Sequence, residues 1–445
     1  MKKKKNAFVV LAIDGISTIY SGVGTIVYSF FEAYDEIKSS FGEHDFDLFA
    51  FTPYFNMNDS RYSARVLNDV TEICRRHGGD VMYLPTMCHG EAHTNSWRGN
   101  DHVPIKTQWE SASISAASSL NLLSRLGGYD EIFVLCHDTI FANVSKFILN
   151  ANIHLCWVPH SLSSIFDDHI QSDKLQYEKE SINTLLKNGH KISYLSELTK
   201  SALSAVFFCK EEQLVSLYSG IFLRSGKFRI PADRTSVLKK YNIPQDRPLV
   251  FSWARCAHAK GIDTILKAFI SYKKNNFLNN NVHLVLLCPD STAINSYTDE
   301  INELKGQLSP EHYTFITHFD EQLPLVVLKY DRTKCVILAS RFETFGLSSL
   351  EALAFRHPDV SIMYSRIPTF EEVLNGKNKT KPFSPEDYLE LADDLKTTLM
   401  DNGNCLAGEP QASESNLPDD RFDLVKNYSY GLSNFIHQFT EAAQI

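Results

Sequence analysis

The sequence predicts an α/β chain of two domains, each built on a mostly parallel sheet covered by helices. Three observations lead to this prediction. The chain has 445 residues, whereas a single hydrophobic core stops growing at roughly 250 to 300 residues. Short runs rich in Val, Ile, Leu and Phe recur with helical patterns between them, which is typical of βα units. The polar stretch 224–247 separates two such series.

The two series contain six and five predicted strands. Those of the first are Ala7–Ile13, Phe46–Phe51, Val81–Leu84, Ile132–Cys136, Ile153–Val158 and Ile192–Leu195. Those of the second are Leu249–Trp253, Val282–Cys288, Tyr313–Ile316, Cys335–Ala339 and Val360–Tyr364. Apolar residues spaced by three and four from Val23 to Ile37 predict a helix packed on the first sheet. The last predicted helix is Phe422–Phe439.

Composition argues against several classes of protein. Acidic residues outnumber basic ones by 53 to 44, so no nucleic-acid partner is expected. The apolar run Ala7–Ile13 is too short to span a bilayer, and no other run reaches the ~18 apolar residues of a membrane helix. We therefore expect no integral membrane segment, and peripheral membrane contact stays open. The nine scattered cysteines favour a reducing cytoplasm.

The most informative segment is 339–354. It places Glu343 in the loop after a predicted strand, and Gly346 where the backbone can approach a ligand closely. A serine at 348 or 349 is expected to cap the helix that follows, and the N-terminus of that helix suits a diphosphate. Glu351, in the first turns, can accept two hydrogen bonds from a ribose diol. Each carboxylate alone is also explained as a solvated surface residue, but the combination is far more specific.

A second segment contains two cations. Arg255 and Lys260 lie five residues apart in the loop after the predicted strand Leu249–Trp253. Fixed cations beside a diphosphate would offset the charge that grows on a leaving nucleotide. In isolation the two residues are equally well explained as exposed loop residues, and their position upstream of Glu343 favours the phosphate role.

Three strand ends in the first series carry further candidates. Gly22, Val23 and Gly24 form a glycine-rich turn that opens the first helix, which suits either a phosphate or a plain tight turn. His137 and His160 end two consecutive strands, at the edge where an open α/β sheet binds ligands. A structural histidine is the alternative for both, and for His137 it is the preferred one.

Together these segments resemble the Glu-x7-Glu family of retaining glycosyltransferases, the group 1 family with the GT-B fold. The resemblance covers nearly the whole chain in order, from Gly22 to the segment 382–391. It implies two Rossmann-like domains facing a central cleft. Residues 1–228 would form the acceptor-side domain and 229–425 the donor-binding domain, and a helix at 426–445 would return to the first domain.

The resemblance also implies the substrates and the roles of residues. The donor would be a nucleotide-diphosphate sugar, with a UDP-sugar favoured over a GDP-sugar. No metal or other cofactor is implied, because protein cations and helix N-termini would neutralise the diphosphate. The catalytic residues would be His160, Glu343, Arg255 and Lys260. The donor-binding residues would be Gly22, Val23, Gly24, Arg255, Lys260, Glu343, Thr344, Phe345, Gly346, Leu347 and Glu351. Ala254 stands where the family usually has glycine.

The acceptor side depends on the long stretch Thr86–Ser111. It interrupts the alternation of strands and helices, and it contains Trp97, Arg98 and Trp109. Such groups stack on sugar rings or hydrogen-bond to them, so these residues and His137 are the acceptor candidates. We expect the acceptor to be a small sugar, a polyol or a glycan. An ordinary packed surface loop is the alternative.

Other functions are compatible with parts of the pattern. A catalytically inactive binding subunit with this fold would be expected to lose one of the four catalytic residues, and all four are present. An α-glucan phosphorylase would carry a pyridoxal lysine in its own sequence setting, which this chain lacks. An enzyme that couples nucleotide-activated cyclitols would keep the same motifs, so that alternative stays open.

Two patterns imitate metal sites. Asp45 and Asp47 form an Asp-x-Asp pair, but they lead into a predicted strand, where alternation gives the same spacing. Cys88, His89 and His93 have no second Cys or His pair at the spacing of a zinc site. The sequence therefore predicts no metal ligands.

Overall fold

The computed structural model divides the chain into two compact α/β units. One unit is Met1–Ser225 with Asp420–Ile445, and the other is Gly226–Asp419. The residues that it describes are 5–42, 44–55, 57–59, 61–85, 105–165, 172–229, 231, 233–275, 281–289, 295–401 and 419–440. Each unit has its own parallel sheet, which confirms the fold class that the sequence predicts.

The amino-terminal unit is built on a parallel sheet of seven strands. They are β1 (Asn6–Leu11), β2 (Phe46–Pro53), β3 (Val81–Leu84), β4 (Glu131–His137), β5 (Ile153–Val158), β6 (Lys191–Tyr194) and β7 (Leu214–Ser216). Their order across the sheet is β3-β2-β1-β4-β5-β6-β7. The first helices of the chain are α1 (Gly22–Glu32), α2 (Tyr34–Lys38), α3 (Ala64–Arg76), α4 (Ile105–Leu126), α5 (Ser172–Lys187) and α6 (Glu197–Val206).

The centre of this unit is aromatic. Every residue of β1 is buried, as expected for the central strand of a parallel sheet covered on both faces. Phe8 of β1 stacks on Phe30 and Phe41, with ring centroids 5.9 and 6.0 Å apart. Apolar burial stabilises a fold by roughly 25 cal/mol per Å², so rings of this size dominate the core.

The carboxyl-terminal unit is built on a parallel sheet of six strands. They are β8 (Leu249–Trp253), β9 (His283–Leu287), β10 (Tyr313–Ile316), β11 (Thr333–Leu338), β12 (Ser361–Ser365) and β13 (Thr380–Phe383), in the order β10-β9-β8-β11-β12-β13. The helices are α7 (Arg234–Lys240), α8 (Ile262–Asn275), α9 (Ser296–Lys305), α10 (Leu323–Leu328), α11 (Leu347–Phe355), α12 (Pro368–Leu374) and α13 (Tyr388–Asp401). Within the described residues, no helix is long and apolar enough to cross a membrane.

The last helix, α14 (Leu424–Thr440), belongs to the amino-terminal unit. Tyr428 packs on Phe30, and Phe435 packs edge-on against Phe133, with ring centroids 5.8 and 5.6 Å apart. Gly431 lies against β7 so closely that a Cβ atom there would be 1.9 Å from the carbonyl oxygen of Ser216. The helix is therefore fixed by backbone contact as well as by its aromatic side chains.

We predict that Gly431→Ala lowers the thermal stability of the protein, although Ala is the better helix former by about 1 kcal/mol. The added Cβ meets backbone, which does not rotate away, so α14 has to move from β7. Asn434→Ala on the exposed face of the same helix is the matched control, and its melting temperature should stay near that of the wild type. Equal or higher stability of Gly431→Ala would show that α14 does not need this contact.

Candidate donor and acceptor sites

The donor-site candidates cluster where the strand order of the carboxyl-terminal sheet reverses. β8 and β11 are neighbours at this point. The crevice outside the carboxyl ends of such strands is the usual ligand site of an open α/β sheet. Residues 254–261 follow β8 and residues 339–346 follow β11, so the topology brings two predicted motifs together from distant parts of the sequence.

Lys260 and Glu343 form an ion pair in this crevice. The ammonium nitrogen of Lys260 lies 2.5 Å from Oε1 of Glu343, and the Ser340 hydroxyl donates to the same oxygen at 2.7 Å. The side chains of Lys260 and Glu343 are 20% and 13% exposed. Arg255 is exposed, and its side chain makes no hydrogen bond or ion pair in the described part of the chain. The structure thus joins two of the predicted donor residues and leaves the third at the surface.

Arg341 connects the two loops that carry this pair. Its guanidinium donates to both carboxylate oxygens of Asp263, at 2.9 and 2.8 Å, and to the carbonyl oxygen of His258 at 2.6 Å. Its backbone N–H donates to the carbonyl oxygen of Ala259 at 2.8 Å. Burial opposes ionisation of Asp263, but Arg341 holds the pKa of that carboxyl well below its ordinary value. The sequence did not single out Arg341 or Asp263.

Two glycines allow these loops to approach each other. Gly261 has φ 62°, and a Cβ atom there would lie 2.1 Å from the carbonyl oxygen of Ala339. Gly346 has φ 74°, and a Cβ atom there would lie 2.7 Å from the ring of Phe370. Both positions combine a left-handed backbone with a close contact, so other residues would be strained there.

The start of α11 differs from the sequence prediction. The N-cap is Gly346, without a side-chain cap, and the helix begins at Leu347. Ser348 or Ser349 was expected to cap it, but both lie inside the helix, and the Ser349 hydroxyl donates to the carbonyl oxygen of Gly346 at 2.7 Å. The reason is that the left-handed Gly346 already turns the chain into the helix. Thr344 and Phe345 are buried, and Leu347 is partly exposed.

Glu351, the predicted ribose ligand, is paired with a lysine that the sequence prediction did not include. The ammonium of Lys227 lies 2.6 Å from Oε1 of Glu351, and the side chains are 15% and 12% exposed. Lys227 precedes Phe228, whose ring packs on Phe355 of α11 with centroids 4.4 Å apart. The contact spans 124 residues of sequence, so no local spacing could have indicated it.

In the amino-terminal unit, the predicted glycine-rich turn is organised by Asp14. Its carboxylate accepts hydrogen bonds from the backbone N–H groups of Gly15, Tyr20 and Ser21, at 3.0, 3.3 and 2.8 Å, and from the Ser21 hydroxyl at 2.5 Å. Burial raises the pKa of Asp14 to about 6, and the bonds from Ser21 counteract that rise. The loop is therefore built around an internal carboxylate.

The positions of the two glycines in this turn differ. Gly22, at the first position of α1, is exposed, and Val23 is partly exposed. Gly24 is buried, and a Cβ atom there would lie 2.3 Å from an oxygen of Asp14. Its N–H is donated to the Ser21 hydroxyl at 3.3 Å. Gly24 is thus required by the loop itself, whatever ligand the loop contacts.

His137 and His160 are in direct contact at the carboxyl ends of β4 and β5. Nδ1 of His137 lies 2.8 Å from Nε2 of His160, and the rings stack with centroids 5.1 Å apart. Burial lowers the pKa of His160 to about 3, and burial together with His160 lowers the pKa of His137 well below 6.5. Both rings are therefore neutral at physiological pH, and one of them donates an N–H hydrogen bond to the other.

A buried ion pair holds the loop that follows His160. Lys174 donates to the carbonyl oxygen and the hydroxyl of Ser161, at 3.0 and 3.1 Å. Glu178 accepts from the backbone N–H of Ser163 at 3.0 Å, and it lies 3.4 Å from Lys174. These bonds fix the backbone next to His160, which limits the positions its ring can take.

The acceptor candidates do not form one cluster. Trp97 and Arg98 lie outside the described residues. Trp109 is 3% exposed and packs on Tyr177 in the core, with ring centroids 5.1 Å apart, so its place in the fold is that of a core residue rather than of an acceptor contact. The reason is that α4 begins at Ile105, which puts Trp109 on the inner face of a helix instead of in a loop.

Exposed tyrosines occur at the carboxyl ends of β2 and β3 instead. Tyr54 and Tyr83 are 52% and 47% exposed, and their rings contact edge to face at 5.8 Å. Arg61 lies over the ring of Tyr20, 5.3 Å from its centroid, in the same part of the unit. Tyr83 lies in a strand that the sequence predicted. Its position near the carboxyl end of that strand was the sequence feature that could have identified it as a candidate acceptor residue.

Comparison with protein families identifies the carboxyl-terminal unit. Residues 233–406 match the family model of the glycosyl transferases group 1. Residues 233–406 therefore form a group 1 glycosyltransferase domain. The predicted family and the predicted enzyme class, a transferase, are thereby confirmed. No curated protein matches the chain by sequence.

Solved structures with a similar fold are GT-B enzymes. A sucrose-phosphate synthase from Thermosynechococcus elongatus is 15% identical, with a TM-score of 0.63 over 99% of this chain and 98% of that one. A trehalose 6-phosphate synthase from Burkholderia multivorans is 14% identical, with a TM-score of 0.66 over 99% and 100%. A UDP-forming trehalose-phosphate synthase from Burkholderia xenovorans, in complex with glucose-6-phosphate, is 13% identical, with a TM-score of 0.63 over 98% and 100%. At these identities the likeness shows the fold of this glycosyltransferase.

We predict that the glycosyltransferase becomes less stable as the pH falls from 7 to 5, and that His160→Asn reduces this loss. A histidine whose folded pKa is depressed stabilises the fold above its unfolded pKa of 6.5, and this stability is lost as the pH falls toward 3. At pH 5 one such histidine accounts for about 2 kcal/mol. Urea unfolding at both pH values measures the difference. An unchanged pH dependence in His160→Asn would mean that His160 is already protonated at pH 5.

Proposed function

We propose that the chain transfers a sugar from a nucleotide-diphosphate donor to a hydroxyl acceptor, with retention of anomeric configuration and without a metal ion. The observation that carries this proposal is the Lys260–Glu343 pair at the switch point of the donor sheet, beside the start of α11. It combines a cation, a carboxylate and helix N–H groups, which are the groups that a diphosphate and a sugar require.

The donor roles follow from charge. A leaving nucleoside diphosphate gains negative charge as the bond to the anomeric carbon breaks, and preorganised cations stabilise that charge. Lys260 is held in place by Glu343, and the exposed Arg255 lies in the same loop. When a diphosphate binds, Lys260 can turn to it while Glu343 accepts hydrogen bonds from hydroxyl groups of the sugar. We infer that these cations replace the divalent metal that other transferases use.

For retention we propose a reaction on one face of the sugar. The bond between the anomeric carbon and the phosphate oxygen breaks, the acceptor oxygen bonds to the same face, and the acceptor proton passes to the leaving phosphate. His160 is neutral, so it suits a hydrogen bond to a sugar hydroxyl rather than a charge on the leaving group. This route requires no carboxylate nucleophile.

We propose a UDP-sugar as the preferred donor and a small sugar, polyol or glycan as the acceptor. Among the neighbours in fold, one is described as UDP-forming and is in complex with glucose-6-phosphate, and others are sucrose-phosphate and trehalose 6-phosphate synthases. The exposed Tyr54 and Tyr83 support a sugar-like acceptor, because aromatic faces stack on sugar rings.

The transfer is tested by incubating the protein with UDP- and GDP-sugars in EDTA and observing release of nucleotide and the anomer of the product by NMR. We expect Lys260→Ala and Arg255→Ala each to reduce turnover by roughly 10² to 10³, the loss typical of one preorganised group at a developing anion. Lys334→Ala, at a partly exposed lysine of β11 whose ammonium donates to the carbonyl oxygen of Asp331, is the matched control. Turnover within threefold of the wild type in both site variants contradicts the phosphate role, and activity only with added manganese contradicts metal independence.

On the acceptor side, we expect Tyr54→Ala and Tyr83→Ala to raise the acceptor KM about tenfold, since one aromatic stacking contact contributes ~1 kcal/mol or more. Hydrolysis of the donor and nucleotide affinity should stay near wild type, because the two residues belong to the other unit. Tyr430→Ala, at a tyrosine of α14 that is 67% exposed, is the control. Unchanged acceptor kinetics in both variants would place the acceptor elsewhere.

A further inference from the structure

The carboxylate proposed to bind the ribose has a fixed partner. Lys227 lies in the short turn Gly226–Phe228 at the start of the carboxyl-terminal unit. Its ammonium is 2.6 Å from Oε1 of Glu351. The two side chains are only 15% and 12% exposed. Water therefore screens the attraction between their charges less than it does in a surface ion pair.

The turn that carries Lys227 is itself anchored on α11. Phe228 packs on Phe355, with ring centroids 4.4 Å apart, and Phe355 follows Glu351 by one helical turn. The ammonium of Lys227 also lies 5.3 Å from the centroid of the Phe228 ring. Lys227 therefore approaches Glu351 from a turn that is packed against the same helix, and its position is defined from two sides.

We propose that Lys227 is a positioning residue for nucleotide recognition, which makes the ribose hydroxyls a determinant of donor affinity. This inference rests on the proposed function. The pair holds Oε1 of Glu351 and thereby limits the rotamers of the carboxylate, which keeps its other oxygen in one place for a ligand. It also neutralises a negative charge that would otherwise repel the diphosphate of the same ligand.

The opposite role for Lys227 would be to weaken nucleotide binding. If Lys227 blocked Glu351, a ribose would have to break a partly buried ion pair before binding, and removal of Lys227 would strengthen nucleotide binding. Each carboxylate oxygen has two lone pairs, and the bond from Lys227 uses one of those on Oε1. The carboxylate therefore keeps enough acceptor capacity for a diol without losing Lys227.

The test compares the binding of UDP and 2′-deoxy-UDP by calorimetry, with GDP and 2′-deoxy-GDP run in parallel. For the nucleotide that binds, we expect the wild type to prefer the ribo form by about tenfold, the size of one hydrogen bond to a charged group. Lys227→Met, Lys227→Gln and Glu351→Gln should each reduce this preference to about twofold or less, and Lys227→Arg should keep most of it. In Glu351→Gln, adding Lys227→Met should change the preference little.

Lys329→Met is the matched control, because the Lys329 ammonium lies 5.7 Å from the centroid of the Phe355 ring, on which Phe228 packs. This variant should keep the wild-type preference for the ribo form. A general loss of stability lowers the affinity for both nucleotides alike and leaves their ratio unchanged, so the ratio separates positioning from folding. If the wild type prefers the ribo form and both Lys227 variants keep that preference, or bind more tightly, the role of Lys227 is wrong and the proposed transfer stands. If neither UDP nor GDP binds to the wild type, the proposed function fails together with this inference.

Discussion

The proposed donor site depends on one buried ion pair between Arg341 and Asp263. Both hydrogen bonds between them are 2.9 Å or shorter, and the side chains are 8% and 4% exposed. Removing one partner of such a pair leaves an uncompensated buried charge and costs roughly 3 to 5 kcal/mol. Tyr297 donates a further hydrogen bond to Asp263 at 2.9 Å. The pair therefore resists rearrangement more than the loops around it do.

The positions of Arg341 and Asp263 in the sequence explain why Lys260 and Glu343 meet. Asp263 is the second residue of α8, directly after the loop with Lys260, and Arg341 lies two residues before Glu343. Fixing one to the other holds the loops after β8 and β11 together, and Lys260 meets Glu343 there. A site preorganised in this way loses little entropy when substrate binds. The contact between the two loops is thus a property of the unit itself, and under the proposed function the substrate redirects only the ammonium of Lys260.

Much of this arrangement could be predicted from the sequence. The features that could not be predicted were missed for physical reasons. The four-residue strands β3, β6 and β10 were predicted, whereas β7 was missed because it has only three residues and β13 because Lys381 and Pro382 interrupt its apolar pattern. Loop motifs could be placed because they follow strands. The pairs Arg341–Asp263 and Lys227–Glu351 join residues 78 and 124 positions apart, and such contacts depend on strand order, which composition and spacing do not give. Trp109 was misplaced for a related reason, since the extent of the stretch before α4 was not visible from periodicity.

The glycines of the motifs show why a sequence pattern alone identifies a ligand site only incompletely. Gly24 is required by the carboxylate of Asp14, Gly261 by the carbonyl oxygen of Ala339, and Gly346 by the ring of Phe370. Each would be glycine in a protein that bound nothing at that place. The charged side chains carry the independent information, because a loop needs no ammonium or carboxylate to close tightly. Function in this fold is therefore better inferred from Lys260, Glu343 and Glu351, and from the partners that hold them, than from the glycines that allow the loops to meet.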